Sequence, residues 1–260
     1  MPLTASAMLV FAEYSFQTQA MKTLTIIETG QAPEAIRADW PDYPAMFEAL
    51  LAPHLLGWTY SAVQLSQGEI LPDPATLDAV LITGSPAGVY EDWPWMTPLM
   101  DFIRWASEAK IPQVGICFGH QAIAQALGAK VSKSDKGWGI GRHVYDIDAP
   151  QNWMGEAPPK TFSLGVSHQD QVQSLAPGAV LVAASDFCDH AAIAYPIQNA
   201  ISFQGHPEFS PKFNCALYGI RKGKALPTEL VETAEHSLQT PVDNDLVGQW
   251  MANFLKHTAG

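Results

Sequence analysis

Cysteine is scarce in this chain: there are three in 260 residues, Cys117, Cys188 and Cys215, and no two of them form a C-x-x-C pair. A sparse, odd set fits a reducing cytosol better than a disulfide framework. Positive charge is scarce as well. Lys and Arg together number 14 against 26 Asp and Glu, a formal net charge of −12. The basic footprint that nucleic-acid binding requires is missing. No apolar run approaches the ~18 residues of a membrane-spanning helix. The first twenty residues hold no Lys or Arg, so the basic start of a secretory signal is missing too. These absences lead to the expectation of a cytoplasmic protein that binds neither nucleic acid nor membrane.

What is present is an ordinary globular composition, 47% hydrophobic, long enough for one or two domains. A second methionine, Met21, opens "MKTLTIIET", which reads as a first strand. Residues 1–20 are therefore expected to be a disordered N-terminal extension. Short apolar runs then alternate with amphipathic ones. "TLTIIET", "WTYSAVQL", "LDAVLITGSP" and "IPQVGIC" read as strands. "YPAMFEALLAPHL", "WMTPLMDFIRWASEAK" and "GHQAIAQALGA" read as helices, the last stopped by Gly128. Such alternation predicts an α/β fold with a mainly parallel open sheet flanked by helices. After Val131 the texture becomes a series of strands and turns. After Phe209 helical patterns return, with Ser-Pro, Leu-Pro and Asp/Asn starts. One domain with a helical C-terminal cap is the simplest reading.

"VGICFGHQ", residues 114–121, carries the first chemical signal. A lone buried cysteine usually behaves as a small hydrophobe. Gly115, Cys117 and Gly119 spell G-x-C-x-G where a strand gives way to a helix, the cysteine form of a nucleophile elbow. Side chains two residues away on either side would crowd that turn. The turn also sets the sulfur at a helix N-terminus, where free N–H groups favour the thiolate. The N–H of Phe118 becomes a candidate oxyanion donor. "FQGHPEF" supplies a candidate base. Pro207 biases His206 toward extended backbone, and Glu208 two residues on then points the same way. A carboxylate beside a histidine fixes its tautomer and stabilises its cation. Cys117, His206 and Glu208 thus form a candidate triad. Its chain order differs from the Ser…Asp…His of the α/β-hydrolases. "LITGSPAGVYED" offers close backbone approach at Gly84 and Gly88, at the carboxyl end of a strand, where open α/β sheets bind ligands.

Each element has a plainer alternative. "GHPE" alone could be a turn or two metal ligands, but a metal site lacks support, with no H-E-x-x-H and no cysteine pair. "TGSPAG" reads as a turn; the G-K-[ST] end of a phosphate loop is absent. The tryptophans of "EDWPWM" read as packing, and His143 and His190 as structural. No metal and no cofactor is expected.

"TGSPAG", "GICFGHQAIAQALGA", "SHQDQV" and "QGHPEF", in this order, resemble the class I, triad-type glutamine amidotransferases, from about Lys22 to Phe209. The C-terminal helices resemble those of stand-alone members related to the glutaminase domain of GMP synthase. The resemblance implies a flavodoxin-like sheet, an amidotransferase domain over residues 21–215 and a helical cap of the same domain over 216–260. It implies Cys117 as nucleophile, His206 and Glu208 as its partners, and Gly84 and Phe118 as the oxyanion hole. Gln121 matches a residue that contacts glutamine, and Ser167 and His168 fall on the loop that holds the α-amino-acid end. Gln169 stands where many members have glycine. Phe118 stands where a related branch, the intracellular-protease and chaperone type, has histidine after the cysteine.

The implied activity is hydrolysis of the glutamine side-chain amide through a cysteine thioester, with ammonia delivered to an acceptor or to a synthetase partner on a separate chain. The alternative of a stand-alone γ-glutamyl peptide or conjugate hydrolase would use the same triad. A third reading is a binding module that keeps the fold without the chemistry.

Overall fold

A computed structural model describes residues 21–259; the expected extension, residues 1–20, lies outside the described residues. The first half runs β1 (Lys22–Ile27), α1 (Glu34–Arg37), α2 (Tyr43–Leu51), β2 (Trp58–Val63), β3 (Ala79–Ile82), α3 (Met96–Glu108), β4 (Gln113–Ile116) and α4 (Phe118–Ala126). Seven strands follow: β5 (Val131–Lys133), β6 (Gly139–Ile147), β7 (Thr161–His168), β8 (Asp170–Val172), β9 (Val180–Ala184), β10 (Ala192–Tyr195) and β11 (Ala200–Phe203). The chain closes on α5 (Pro211–Gly219), α6 (Thr228–Ser237) and α7 (Asn244–Thr258).

One sheet of nine strands has the order β2-β1-β3-β4-β11-β10-β9-β6-β7, and β5 pairs with β8 separately. From β2 to β11 neighbouring strands are parallel. From β11 to β7 they are antiparallel. The sheet is therefore mixed, with the expected parallel strands forming one half. The switch follows from connection length. Only residues 196–199 join β10 to β11, and a parallel crossover needs a dozen or more.

The inner parallel strands β3 and β4 and the second half of β1 are buried on both faces, as a sheet covered by helices on two sides requires, whereas the edge strand β2 is partly exposed. Leu24 and Ile26 of β1 and Ala79 and Leu81 of β3 share one core with Phe47 and Leu51 of α2 and with Trp250, Met251 and Leu255 of α7. The intervening Ile27, Val80 and Ile82 face a second core with Leu99, Phe102 and Ile103 of α3 and Ala122 and Ile123 of α4. This is the period-two alternation of a strand written twice. A third cluster joins Tyr43, Ile140 and Phe209 to α5 and α6. The C-terminal helices thus cap the sheet, and α7 continues onto its face.

Helix ends are set locally. Asp42 accepts a hydrogen bond from the Ala45 N–H at 2.8 Å, and Ser210 accepts from the Phe213 N–H at 3.1 Å, each with proline in the first turn. Asp243 precedes α7 but does not cap it. Its Oδ2 instead accepts from the N–H and hydroxyl of Ser163, at 2.8 and 2.7 Å, tying α7 to β7. Because β1, β3, β4 and β11 are parallel, their carboxyl ends open on one rim. The loops at Glu28, Gly84, Cys117 and His206 gather there.

Candidate active site

Cys117 lies between β4 and α4 with φ 52° and ψ −101°. A positive φ at a non-glycine residue is strained, by about 1–3 kcal/mol, and persists only where its surroundings impose it. The surroundings do so here. The Cys117 N–H donates to the Phe203 carbonyl of β11 at 2.9 Å, and its carbonyl accepts from Gln121 N at 3.1 Å. The flanking glycines leave room for this turn. A methyl on Gly115 would meet the Gly119 carbonyl oxygen at 2.5 Å, and one on Gly119 would overlap the carbonyl of Ile82. Burial pushes the Cys188 thiol up to about 12, so that thiol is chemically inert.

β11 lies beside β4 in parallel register, Phe203 opposite Ile116. Three residues beyond Phe203, His206 returns onto the same rim, its N–H donating to the Gly165 carbonyl at 2.9 Å. Its Nδ1 lies 2.7 Å from Glu208 Oε1, and the two side chains are 4% and 1% exposed. The ring stacks on Phe209 at 4.0 Å between centroids and 4° between planes. Burial alone would lower the His206 pKa; the charges of Glu208 and Cys117 outweigh it, and the histidine is held above its ordinary value. With Nδ1 on the carboxylate, Nε2 is the nitrogen free for the sulfur. A methyl placed on Gly84 would lie 2.9 Å from His206 Cε1 and 3.7 Å from Cys117 Cβ. Gly84, Cys117 and His206 therefore converge on one point. The N–H groups of Gly84 and Phe118 donate to no acceptor among the described residues.

A cavity of about 430 Å³ opens over this point, a usual size for a small-molecule site. Gly84, Cys117, Gln121, Ser167, His168 and His206 line it. Phe118 turns its ring away, edge-on to Trp95, and Glu208 sits behind His206. Gln121 commits its Nε2 to the Asp170 carbonyl and to Gln204 Oε1, at 2.9 and 3.2 Å, leaving its own carbonyl oxygen for a ligand. His168 donates from Nδ1 to the Asp170 carbonyl at 3.1 Å. Burial lowers its pKa to about 3, so the ring is neutral. The cavity also holds Tyr90, from the "LITGSPAGVYED" loop, and residues that no sequence motif announced: Tyr43, Trp138 and Arg221. Arg221 donates from Nη1 to Ser167 Oγ at 3.2 Å. In the sequence it is one of two charges in "GIRKG", with nothing to mark it. Among the described residues no group of three or more His, Cys, Asp or Glu side chains is placed to hold a metal ion. No helix among them is long and apolar enough to cross a membrane.

Sequence similarity places the chain among the cysteine-dependent amidohydrolases of the glutamine amidotransferase superfamily. More narrowly, it belongs to the glutamine amidotransferase class-I family, whose model matches residues 51–216. A glutamine amidotransferase-like protein of Schizosaccharomyces pombe is 30% identical over 187 residues, 70% of this chain and 74% of that one. Gamma-glutamyl peptidase 4 of Arabidopsis thaliana is 31% identical over 185 residues, 68% of this chain and 72% of that one. The solved structure of a glutamine amidotransferase from Methylobacillus flagellatus has the same fold. Its TM-score is 0.71 at 23% identity, over 92% of this chain and 96% of that one.

Proposed function

We propose that the protein hydrolyses γ-glutamyl amides, with Cys117 as nucleophile, His206 as proton carrier and Glu208 as its electrostatic partner. One observation carries this reading: the elbow cysteine and the buried His206–Glu208 pair meet across Gly84 at the floor of one cavity. With the proton already on His206, the Cys117 sulfur attacks the amide carbon. The N–H groups of Gly84 and Phe118 receive the oxyanion; each such donor is commonly worth about 3–4 kcal/mol. His206 returns the proton to the nitrogen, the C–N bond breaks and ammonia or an amine leaves. Water then gives a proton to His206 and attacks the thioester. The C–S bond breaks, glutamate departs and the thiol recovers its proton. The Gln121 carbonyl is placed to accept from the substrate α-ammonium, with Ser167 and His168 lining the same end.

Free glutamine is the first substrate of this reading, its ammonia passing to an acceptor or a synthetase partner. The chain's similarity to a glutamine-hydrolysing GMP synthase component of Methanosarcina barkeri supports it. A second reading, γ-glutamyl peptides as substrates, is favoured by similarity to gamma-glutamyl peptidases. Two measurements test the shared chemistry. A glutamine-analogue electrophile is expected to add one adduct, on Cys117, by intact mass and peptide mapping. Cys117→Ala is expected to lose turnover on glutamine and on γ-glutamyl peptides while keeping its melting temperature. Ammonia or amine release by the alanine variant at the wild-type rate would overturn the assignment. The ratio of rates on glutamine and on a γ-glutamyl dipeptide separates the two substrates.

A further inference from the structure

Arg221 is the single guanidinium lining the cavity above Cys117. It sits in the turn after α5, where the backbone fixes it: its N–H donates to the Tyr218 carbonyl, and its own carbonyl accepts from Lys224 and Leu226, at 3.0, 3.1 and 3.1 Å. The side chain is braced on two sides. Nη1 donates to Ser167 Oγ at 3.2 Å, and the guanidinium carbon lies 5.7 Å from the centroid of the Trp138 ring. No ion pair among the described residues includes it, although acids outnumber bases in the chain by 26 to 14. Burial makes it costlier to keep charged. Of its five N–H donors, one is committed to a protein acceptor. A guanidinium fork, partly desolvated and without a counter-ion, is a site for a planar anion, and carboxylate matches it with two parallel hydrogen bonds.

We propose that Arg221, braced by Ser167 and Trp138, recognises a substrate carboxylate remote from the bond being cut and so sets the specificity of the cavity. The inference rests on the γ-glutamyl amide reading and adds to it a requirement for a free carboxylate. Two carboxylates qualify: the α-carboxylate of the glutamyl half, and that of an amino acid leaving as the amine. The chemistry of recognition is the same for both.

The test compares matched substrates on the full chain: glutamine against its α-carboxamide, and γ-glutamylglycine against γ-glutamylglycinamide. Wild type is expected to prefer one acid over its amide by about 10- to 100-fold in kcat/KM, the range for a hydrogen-bonded charge. Arg221→Gln should erase that preference, mainly through KM. Arg221→Lys should restore part of it, since charge remains and the fork is lost. Lys222→Gln, removing the adjacent cation that pairs with Glu232 outside the cavity, should leave the preference intact. Loss of the glutamine preference assigns Arg221 to the α-carboxylate; loss of the γ-glutamylglycine preference assigns it to the leaving amino acid. A wild type indifferent to the carboxylate, or an Arg221→Gln variant that still discriminates, overturns the proposal. If wild type cleaves none of the four compounds, the hydrolase reading fails, and calorimetric binding of glutamate decides the matter for Arg221 alone. Binding lost in Arg221→Gln and partly kept in Arg221→Lys supports the carboxylate site. Equal binding in all three, or none by wild type, refutes it.

Discussion

Gly84 shows how tightly single residues are constrained on this rim. Its N–H is unclaimed among the described residues, and the space a methyl would need lies against the His206 ring. Gly84→Ala should therefore push His206 away from Cys117 and displace an oxyanion donor together. We expect kcat/KM on the best γ-glutamyl substrate to fall by at least about 100-fold, the usual loss for one such donor. The melting temperature should move by a few degrees at most. Activity within a few-fold of wild type would show that the converging geometry is not the working one. Cys117, His206 and Glu208 were legible in the sequence because each sits in a local pattern, a glycine pair or a Pro-spaced dyad, whose physics is short-range. Arg221 was not. Its meaning depends on Ser167 and Trp138, more than fifty residues away, and no local pattern marks an arginine as lacking a partner.

At the scale of elements, the inner strands of the parallel half stood out as short apolar runs, and the helices between them because only one face of each is apolar. The pairing of the later strands was less visible. "AVLVAASD", "AAIAYPI" and "AISFQGHPE" read as strands, but the alternation along a strand is the same whichever way its neighbour runs. Only the short 196–199 link reveals the antiparallel turn. α7 is another case. Its sequence marks it as a helix, but its place on the sheet face beside α2 is tertiary. Gly248 permits it: a methyl there would meet Leu50 Cδ1 at 2.8 Å. Trp250 is 1% exposed and packs edge-on against Trp153 and Phe162, at 6.2 and 5.3 Å. Trp250→Ala is expected to cost about 3–5 kcal/mol, the range for a large buried aromatic, measured by denaturant unfolding. A loss under about 1 kcal/mol would mean that α7 is a detachable cap.

For the whole molecule, buried titratable groups set the response to pH. Burial lowers His120, His143 and His168 to about 3, about 4 and about 3, against an ordinary 6.5. The unfolded chain takes up protons that the fold refuses, so stability falls as pH drops below about 6.5. Glu28 acts in the opposite sense. Burial and then Asp42 raise it to about 7, so its contribution is full below its ordinary 4.5 and lost as pH rises to 7. Burial raises Asp170 as well, so two carboxylates stand against three histidines, which still leaves a net acid-side loss. On the alkaline side stands His206. Burial depresses it, but Glu208 and Cys117 raise it to about 10. Its contribution is full below 6.5 and lost as pH climbs through 10. Melting temperature should therefore peak near neutrality, and Glu28→Gln should steepen the acid limb. A melting temperature constant from pH 4.5 to 6.5 would contradict the buried-histidine account.

The position of β11 between β4 and β10 has a consequence for biosynthesis. This strand alone welds the parallel half of the sheet to the antiparallel half, and the base-bearing segment follows directly from it. In the proposed triad, Cys117 leaves the ribosome about 90 residues ahead of His206. At ~5–20 residues per second that is on the order of ten seconds of translation. Throughout that interval the nascent chain carries a thiol with no proton partner. The carbonyl of Phe203, which holds the strained elbow, does not yet exist. On this reading the site is complete only once that four-residue strand lies beside β4.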